Sequence, residues 1–172
     1  MATVDPLASA TALDVLDRGG NAFDAAVAGA AVLGVTEPFS CGVGGGGFLV
    51  AWQAGEGRAL TIDHREAAPA ALERDAFVDP STGAPYPHDE LVTSGLGAGV
   101  PGTVAGWEEA LRRYGTMSLA EALQPAIRIA RRGFAVDQSG AMPTTSPLTD
   151  EARPMSEASP KASTSPDLAT CQ

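Results

Sequence analysis

The stretch NAFDAAVAGAAVLGV, residues 21–35, is made almost wholly of Ala, Gly and Val. It reads as one helix. Asn21 can accept the orphan N–H groups of a first turn, and Asp24 sits near the positive end of the axis. A helix with small apolar side chains all round has no polar face to turn to water. It must be buried at short range against a sheet or another helix. That requirement governs the rest of the chain, which has to supply the elements that enclose it.

The flanking sequence offers several. Asp5 can cap an earlier helix with Pro6 in its first turn, where a missing N–H costs nothing. Leu7, Leu13 and Leu16 are read as lying near one face of it, and Gly19-Gly20 ends it. After the small-residue helix come two strand candidates, FLVAWQ (48–53) and RALTIDH (58–64), joined by a GEG turn. A proline-containing loop runs from Ala67 to Leu91. Pro101 then opens a helix over GTVAGWEEALRRYG, closed by Gly115. Ser118 with Glu121 forms a capping-box pattern for a last helix reaching about Arg132. Pro125 lies inside it, which predicts a kink or two short helices. Helices, a hairpin and more helices give an α+β pattern. Two strands do not make an independently stable sheet, so the sheet is expected to be incomplete in this chain.

Composition divides the chain near Gly140. Residues 141–172 are rich in Pro, Ser, Thr and Ala, with only Leu and Met as large apolar residues. They cannot bury enough apolar surface to offset the entropy of ordering. The expected organisation is a folded unit over 1–140 and a disordered or unrelated tail over 141–172. The net charge of −10 argues against nucleic acid as a partner. No run of about 18 apolar residues appears, so no membrane span is expected. Met1 leads into no basic or apolar leader, so no export signal is visible. Cys41 and Cys171 stand far apart and are read as two isolated thiols, Cys41 as a small core residue. His64 and His88 show no ligand spacing with the cysteines, and neither a metal nor a cofactor is expected.

The run SCGVGGGGFLV (40–50) raises the question of a phosphate cradle. A dinucleotide fingerprint needs strand, glycines, then helix, so that the helix N-terminus meets the phosphates. Here a helix precedes the glycines and a strand follows. The lysine of a phosphate loop is missing as well. The remaining reading is that the glycines allow tight turning and close packing of a helix on a strand.

Several segments together carry a more specific signal. They are GGNAFDAAVA, the TEP…GVGGGGF block, DHREAAP and GVPGTVAGWEEALRRYG, within matches that cover almost all of 2–136. With these the chain resembles the amino-terminal part of the large subunit of γ-glutamyltranspeptidases. The resemblance implies an N-terminal nucleophile hydrolase fold, a four-layer αββα sandwich, incomplete here. It implies a precursor that cleaves itself into large and small subunits and so exposes a threonine nucleophile on the small one. That threonine would take the γ-glutamyl group of glutathione or a related donor and pass it to water, an amino acid or a peptide. Arg65 stands where the family places the arginine that grips the donor's α-carboxylate, with two parallel charge-assisted bonds. Asp63 and Glu66 would orient Arg65. His64, pointing to the opposite strand face, would be structural.

The resemblance also sets limits. No catalytic residue is assigned within this chain, because the family's threonine lies beyond residue 172. Thr144-Thr145 are not read as the nucleophile, since SPLTD follows and Pro147 and Pro154 interrupt the strand that should come next. The expected partners are a γ-glutamyl small molecule such as glutathione and the missing small subunit. The chain alone is expected to be inactive. The rival expectation is a non-catalytic fragment or pseudoenzyme that binds γ-glutamyl compounds or a separate small subunit. Family members are usually periplasmic or secreted.

Overall fold

A computed structural model describes residues 1–136. The segment 141–172, with Thr144, Thr145 and Cys171, lies outside the described residues. The elements run α1 (Pro6–Asp17), α2 (Ala22–Thr36), α3 (Pro38–Cys41), β1 (Phe48–Gln53) and β2 (Arg58–Asp63). Then come α4 (His88–Thr93), a 3₁₀ turn (Gly95–Gly97), α5 (Thr103–Tyr114) and α6 (Leu119–Arg132).

The small-residue helix α2 is the centre of the fold. Its Val27, Ala31 and Val32 are buried. Trp107, Ala110 and Leu111 of α5, Ala122 and Ala126 of α6 and Ala8 of α1 join them in one apolar cluster. A second cluster joins Ala12 and Val15 of α1 to Ala25 and Ala28 of α2. Small side chains let the axes come close: a Cβ added to Gly29 would lie 3.4 Å from the Ala12 Cβ and 3.5 Å from the Ala8 carbonyl oxygen. On α1 the buried positions are therefore Ala8, Ala12 and Val15. The expectation that Leu7, Leu13 and Leu16 share one face is corrected here. Spacings of six and three residues spread them around the helix, and all three stay exposed.

Local chemistry fixes the helix ends. The Asp5 carboxylate accepts from Ala8 N at 3.0 Å, and Gly19, at φ +90°, turns the chain out of α1. Ser118 and Glu121 form a reciprocal capping box on α6. The helix α6 is a single element that runs through Pro125, not two short helices. The proline removes the ladder bond to the Glu121 carbonyl, and Ala122 and Ala126, one on each side of it, are both buried in the α2-centred cluster.

The longest-range polar link is centred on Asp24, which is fully buried. Its Oδ2 accepts from Asn21 N at 2.8 Å and from the Thr116 hydroxyl at 2.7 Å. Its Oδ1 accepts from Thr116 N at 2.8 Å and Met117 N at 3.0 Å. Asn21 Nδ2 donates to the Tyr114 carbonyl at 2.6 Å, and the rings of Phe23 and Tyr114 stack beside it with centroids 4.9 Å apart. The start of α2 is thus tied to the α5–α6 turn. Burial pushes the Asp24 carboxyl up, but the donors from Asn21, Thr116 and Met117 outweigh it and hold the group below its ordinary value of 3.8.

The sheet is an antiparallel hairpin with Phe48 opposite Asp63 and Gln53 opposite Arg58. Its inner face carries Leu49, Leu60 and Ile62. Leu60 is buried, and Leu49 and Ile62 pack on the α2-centred cluster. Its outer face leaves Phe48, Val50 and Trp52 exposed at 63%, 70% and 67%.

Candidate functional site

The glycine run links three elements. Gly47 and His64 exchange backbone hydrogen bonds, Gly47 N to His64 O at 3.3 Å and His64 N to Gly47 O at 3.0 Å, which prolongs the hairpin by one rung. The Gly45 carbonyl accepts from Gly102 N at 3.0 Å and Thr103 N at 3.1 Å, and so takes up two orphan donors at the start of α5. A Cβ on Gly46 would lie 2.6 Å from Glu66 N and 2.9 Å from the Arg65 carbonyl carbon. The loop is flat backbone pressed on the end of β2. The helix brought to the strand by this packing is α5, whose Gly102 and Thr103 N–H groups are taken up by the Gly45 carbonyl.

From that fixed strand end the chain continues into Arg65. Past it, Ala67 and Val100 exchange backbone bonds of 3.3 and 2.8 Å, so residues 64–67 are pinned on two sides. The Arg65 side chain is 67% exposed and stands on the wall of a cleft of about 620 Å³. Glu66, Leu72, Phe77 and Leu96 also line it. Arg65 Nε lies 3.2 Å from Glu66 Oε2, and the terminal guanidinium nitrogens make no hydrogen bond to any described residue. Asp63 acts on the backbone: its Oδ1 accepts from Arg65 N at 3.0 Å. Of the two acids expected to orient Arg65, Glu66 meets the guanidinium and Asp63 the main chain.

A second, larger cleft of about 820 Å³ opens between α2, the glycine loop and β1. Glu66 reaches this one too, with His64, Thr103 and Cys41. Cys41 was expected in the core. It is half-buried at the end of the four-residue α3, because that short turn carries it to the cleft wall instead of under α2. His64 is half-buried on the face opposite Arg65, and its Nδ1 is enclosed without a hydrogen-bond partner. Among the described residues no group of three or more His, Cys, Asp and Glu side chains could hold a metal ion, and no helix is long and apolar enough to cross a membrane.

Two features escaped the reading of the sequence. The Asp24 link joins residues 92 apart, and no local signal announces its partners. The seating of His64 depends on glycines from two distant segments, and only their abundance near 46 and 102 hinted at a close approach.

Comparison with known proteins places these features in a family. The family model for gamma-glutamyltranspeptidase matches residues 8–158. The glutathione hydrolase proenzyme of Bacillus subtilis (strain 168) is 47% identical over 137 residues, which are 80% of this chain and 23% of that protein. The glutathione hydrolase proenzyme of Escherichia coli (strain K12) is 46% identical over 139 residues, 81% of this chain and 23% of that protein. The chain thus spans about a quarter of the length of the curated relatives it matches. Among solved structures, Helicobacter pylori gamma-glutamyltranspeptidase superposes with a TM-score of 0.75 at 43% identity, covering 81% of this chain and 39% of that one. The family match over most of its length, together with these relatives, shows that the chain belongs to the gamma-glutamyltranspeptidase family.

Proposed function

We propose that this chain provides the donor-binding wall of a γ-glutamyl acyltransferase or glutathione hydrolase site, with Arg65 holding the α-carboxylate of the glutamyl group. The observation that carries the reading is the state of the guanidinium. Its Nε edge is occupied by Glu66, while its terminal nitrogens are free of described partners and stand on a cleft wall. A planar cation held by one edge presents the other as a ready two-point clamp for a carboxylate. The acid Glu66 also keeps the arginine from wandering, which lowers the entropy lost when the donor binds.

The attacking hydroxyl belongs, in this reading, to a threonine of family polypeptide outside this chain. It adds to the γ-carbonyl of the donor. The C–N bond breaks, and the leaving amine takes the proton. Water or an acceptor amine then cleaves the resulting ester. The same reading accounts for the bare outer face of the hairpin. Phe48, Val50 and Trp52 are the surface on which the second sheet of an αββα sandwich would lie.

An NMR titration of the isotopically labelled chain with glutathione tests the donor wall. Shifts should concentrate at residues 64–67 and disappear in Arg65→Ala. Shifts that persist unchanged without the guanidinium would refute the assignment. A chromogenic γ-glutamyl anilide should not be turned over by the chain alone, and turnover abolished by Arg65→Ala would overturn the placing of the nucleophile elsewhere.

A further inference from the structure

The glycines around residue 64 share one purpose. A Cβ on Gly106 would fall 2.6 Å from His64 Cβ and 2.7 Å from its Cδ2. On Gly47 it would fall 3.2 Å from Cε1, and on Gly102 2.8 Å from the His64 carbonyl carbon. Gly46 and Gly47 of the loop before β1, with Gly102 and Gly106 at the start of α5, thus clear the space that the imidazole and its backbone fill. The ring lies between two stretches of bare main chain. Its Nδ1 is enclosed with no partner, so no hydrogen bond holds it there. What holds it is shape, a flat ring in a slot cut to its thickness.

We infer that His64 is a positioning residue for Arg65: a wedge that locks the end of β2 against the glycine loop and α5, and so sets where the neighbouring guanidinium stands. This rests on the donor-binding reading of Arg65. Residue 64 carries both backbone bonds to Gly47, and the next peptide leads directly into Arg65. The ring touches the side of the sheet away from the donor and needs no proton or contact with it. Emptying the slot frees the rung at Gly47, and a small displacement at the root of a long side chain becomes a large one at its tip.

The test uses the full chain and measures L-glutamate affinity by NMR, with the Arg65 Nε–H resonance as a local marker. His64→Ala should weaken binding about tenfold and broaden that resonance, and Gly106→Ala, which pushes the ring out, should do the same. His64→Phe, which fills the slot without ring nitrogens, should restore affinity to within about twofold of the unaltered chain, a difference too small to exceed the scatter between related variants. Unchanged affinity in His64→Ala would overturn the wedge. So would His64→Phe binding as weakly as His64→Ala, because the ring nitrogens would then be what matters. Should His64→Ala fail to fold, Gly106→Ala takes its place: unchanged affinity there would overturn the wedge, and His64→Phe is then compared with it. Arg65→Lys separates the two claims: if it leaves affinity intact, the donor-binding reading falls and takes the wedge with it, whereas a loss in Arg65→Lys without one in His64→Ala removes the wedge alone.

Discussion

Replacing Asp24 by Asn should loosen the joint between the start of α2 and the α5–α6 turn while changing the shape of the residue hardly at all. The carboxylate accepts four hydrogen bonds, two at each oxygen. An amide keeps one acceptor and turns an NH₂ toward the donors of the other. With Nδ2 at the Oδ2 position the Thr116 hydroxyl can rotate to accept, but Asn21 N–H is stranded. With the opposite flip the N–H groups of Thr116 and Met117 both are. A buried N–H without a partner costs about 1–3 kcal/mol, and the surviving bonds lose their charge assistance, so a total of about 3 kcal/mol is expected. That is roughly a hundredfold increase in local opening. Amide hydrogen exchange at Asn21, Thr116 and Met117 reads this directly and does not require the chain to unfold in one step. The pH dependence has a definite sign. The folded carboxyl sits below its ordinary value, so its stabilisation is complete above pH of about 4 and disappears as pH falls through the lower folded value. After correction for intrinsic rates, protection at Thr116 and Met117 should fall over that acid range in the native chain and show no such step in Asp24→Asn. Exchange within about threefold of the native rate in the variant would refute the reasoning, since that corresponds to well under 1 kcal/mol.

Other perturbations probe neighbouring parts. Gly115→Ala puts a Cβ 2.7 Å from Asp24 Oδ1 and 2.8 Å from Leu111 Cα, and should speed exchange at the same amides by an overpacking cost of about 1–3 kcal/mol. Ser118→Ala removes the capping box and should cost α6 about 1 kcal/mol, seen as faster exchange in its first turn and little change in α5. Trp52→Glu with Phe48→Glu should lower dye binding to exposed apolar surface and reduce self-association. The far-ultraviolet circular dichroism should stay the same, because both side chains lie on the outer hairpin face.

What could be read in the sequence was what is decided within about four residues. The caps at Asp5, Asn21 and Ser118 and the bounds of β1 follow from local donors, acceptors and alternation and stand where expected, while β2 ends at Asp63, one residue short of the expected 58–64. Burial of α2 was legible because its composition left no other choice. The short helices α3 and α4 were not foreseen: each is a turn or so long, without a side-chain cap, and their signals do not rise above those of a loop. The leucines of α1 misled because size suggested core, while the packing distance to α2 demanded alanine. At the site, Arg65 came from the DHREAAP match and Glu66 from adjacency. The slot around His64 needs residues 47 and 106 to meet, and sequence order alone does not bring them together.

The distance along the chain between α2 and its partners bears on synthesis. Apart from α1 and the hairpin residues Leu49 and Ile62, the surfaces that complete the α2-centred cluster come from α5 and α6, and Asp24 finds Thr116 only 92 residues later. At a ribosomal rate of roughly 5–20 residues per second, that gap lasts on the order of 5–20 s. For that interval the nascent polypeptide carries a helix of almost pure Ala, Gly and Val whose α5 and α6 flank has nothing to cover it. The order in which the elements are translated thus leaves the apolar flank of α2 open until the last two helices have been made.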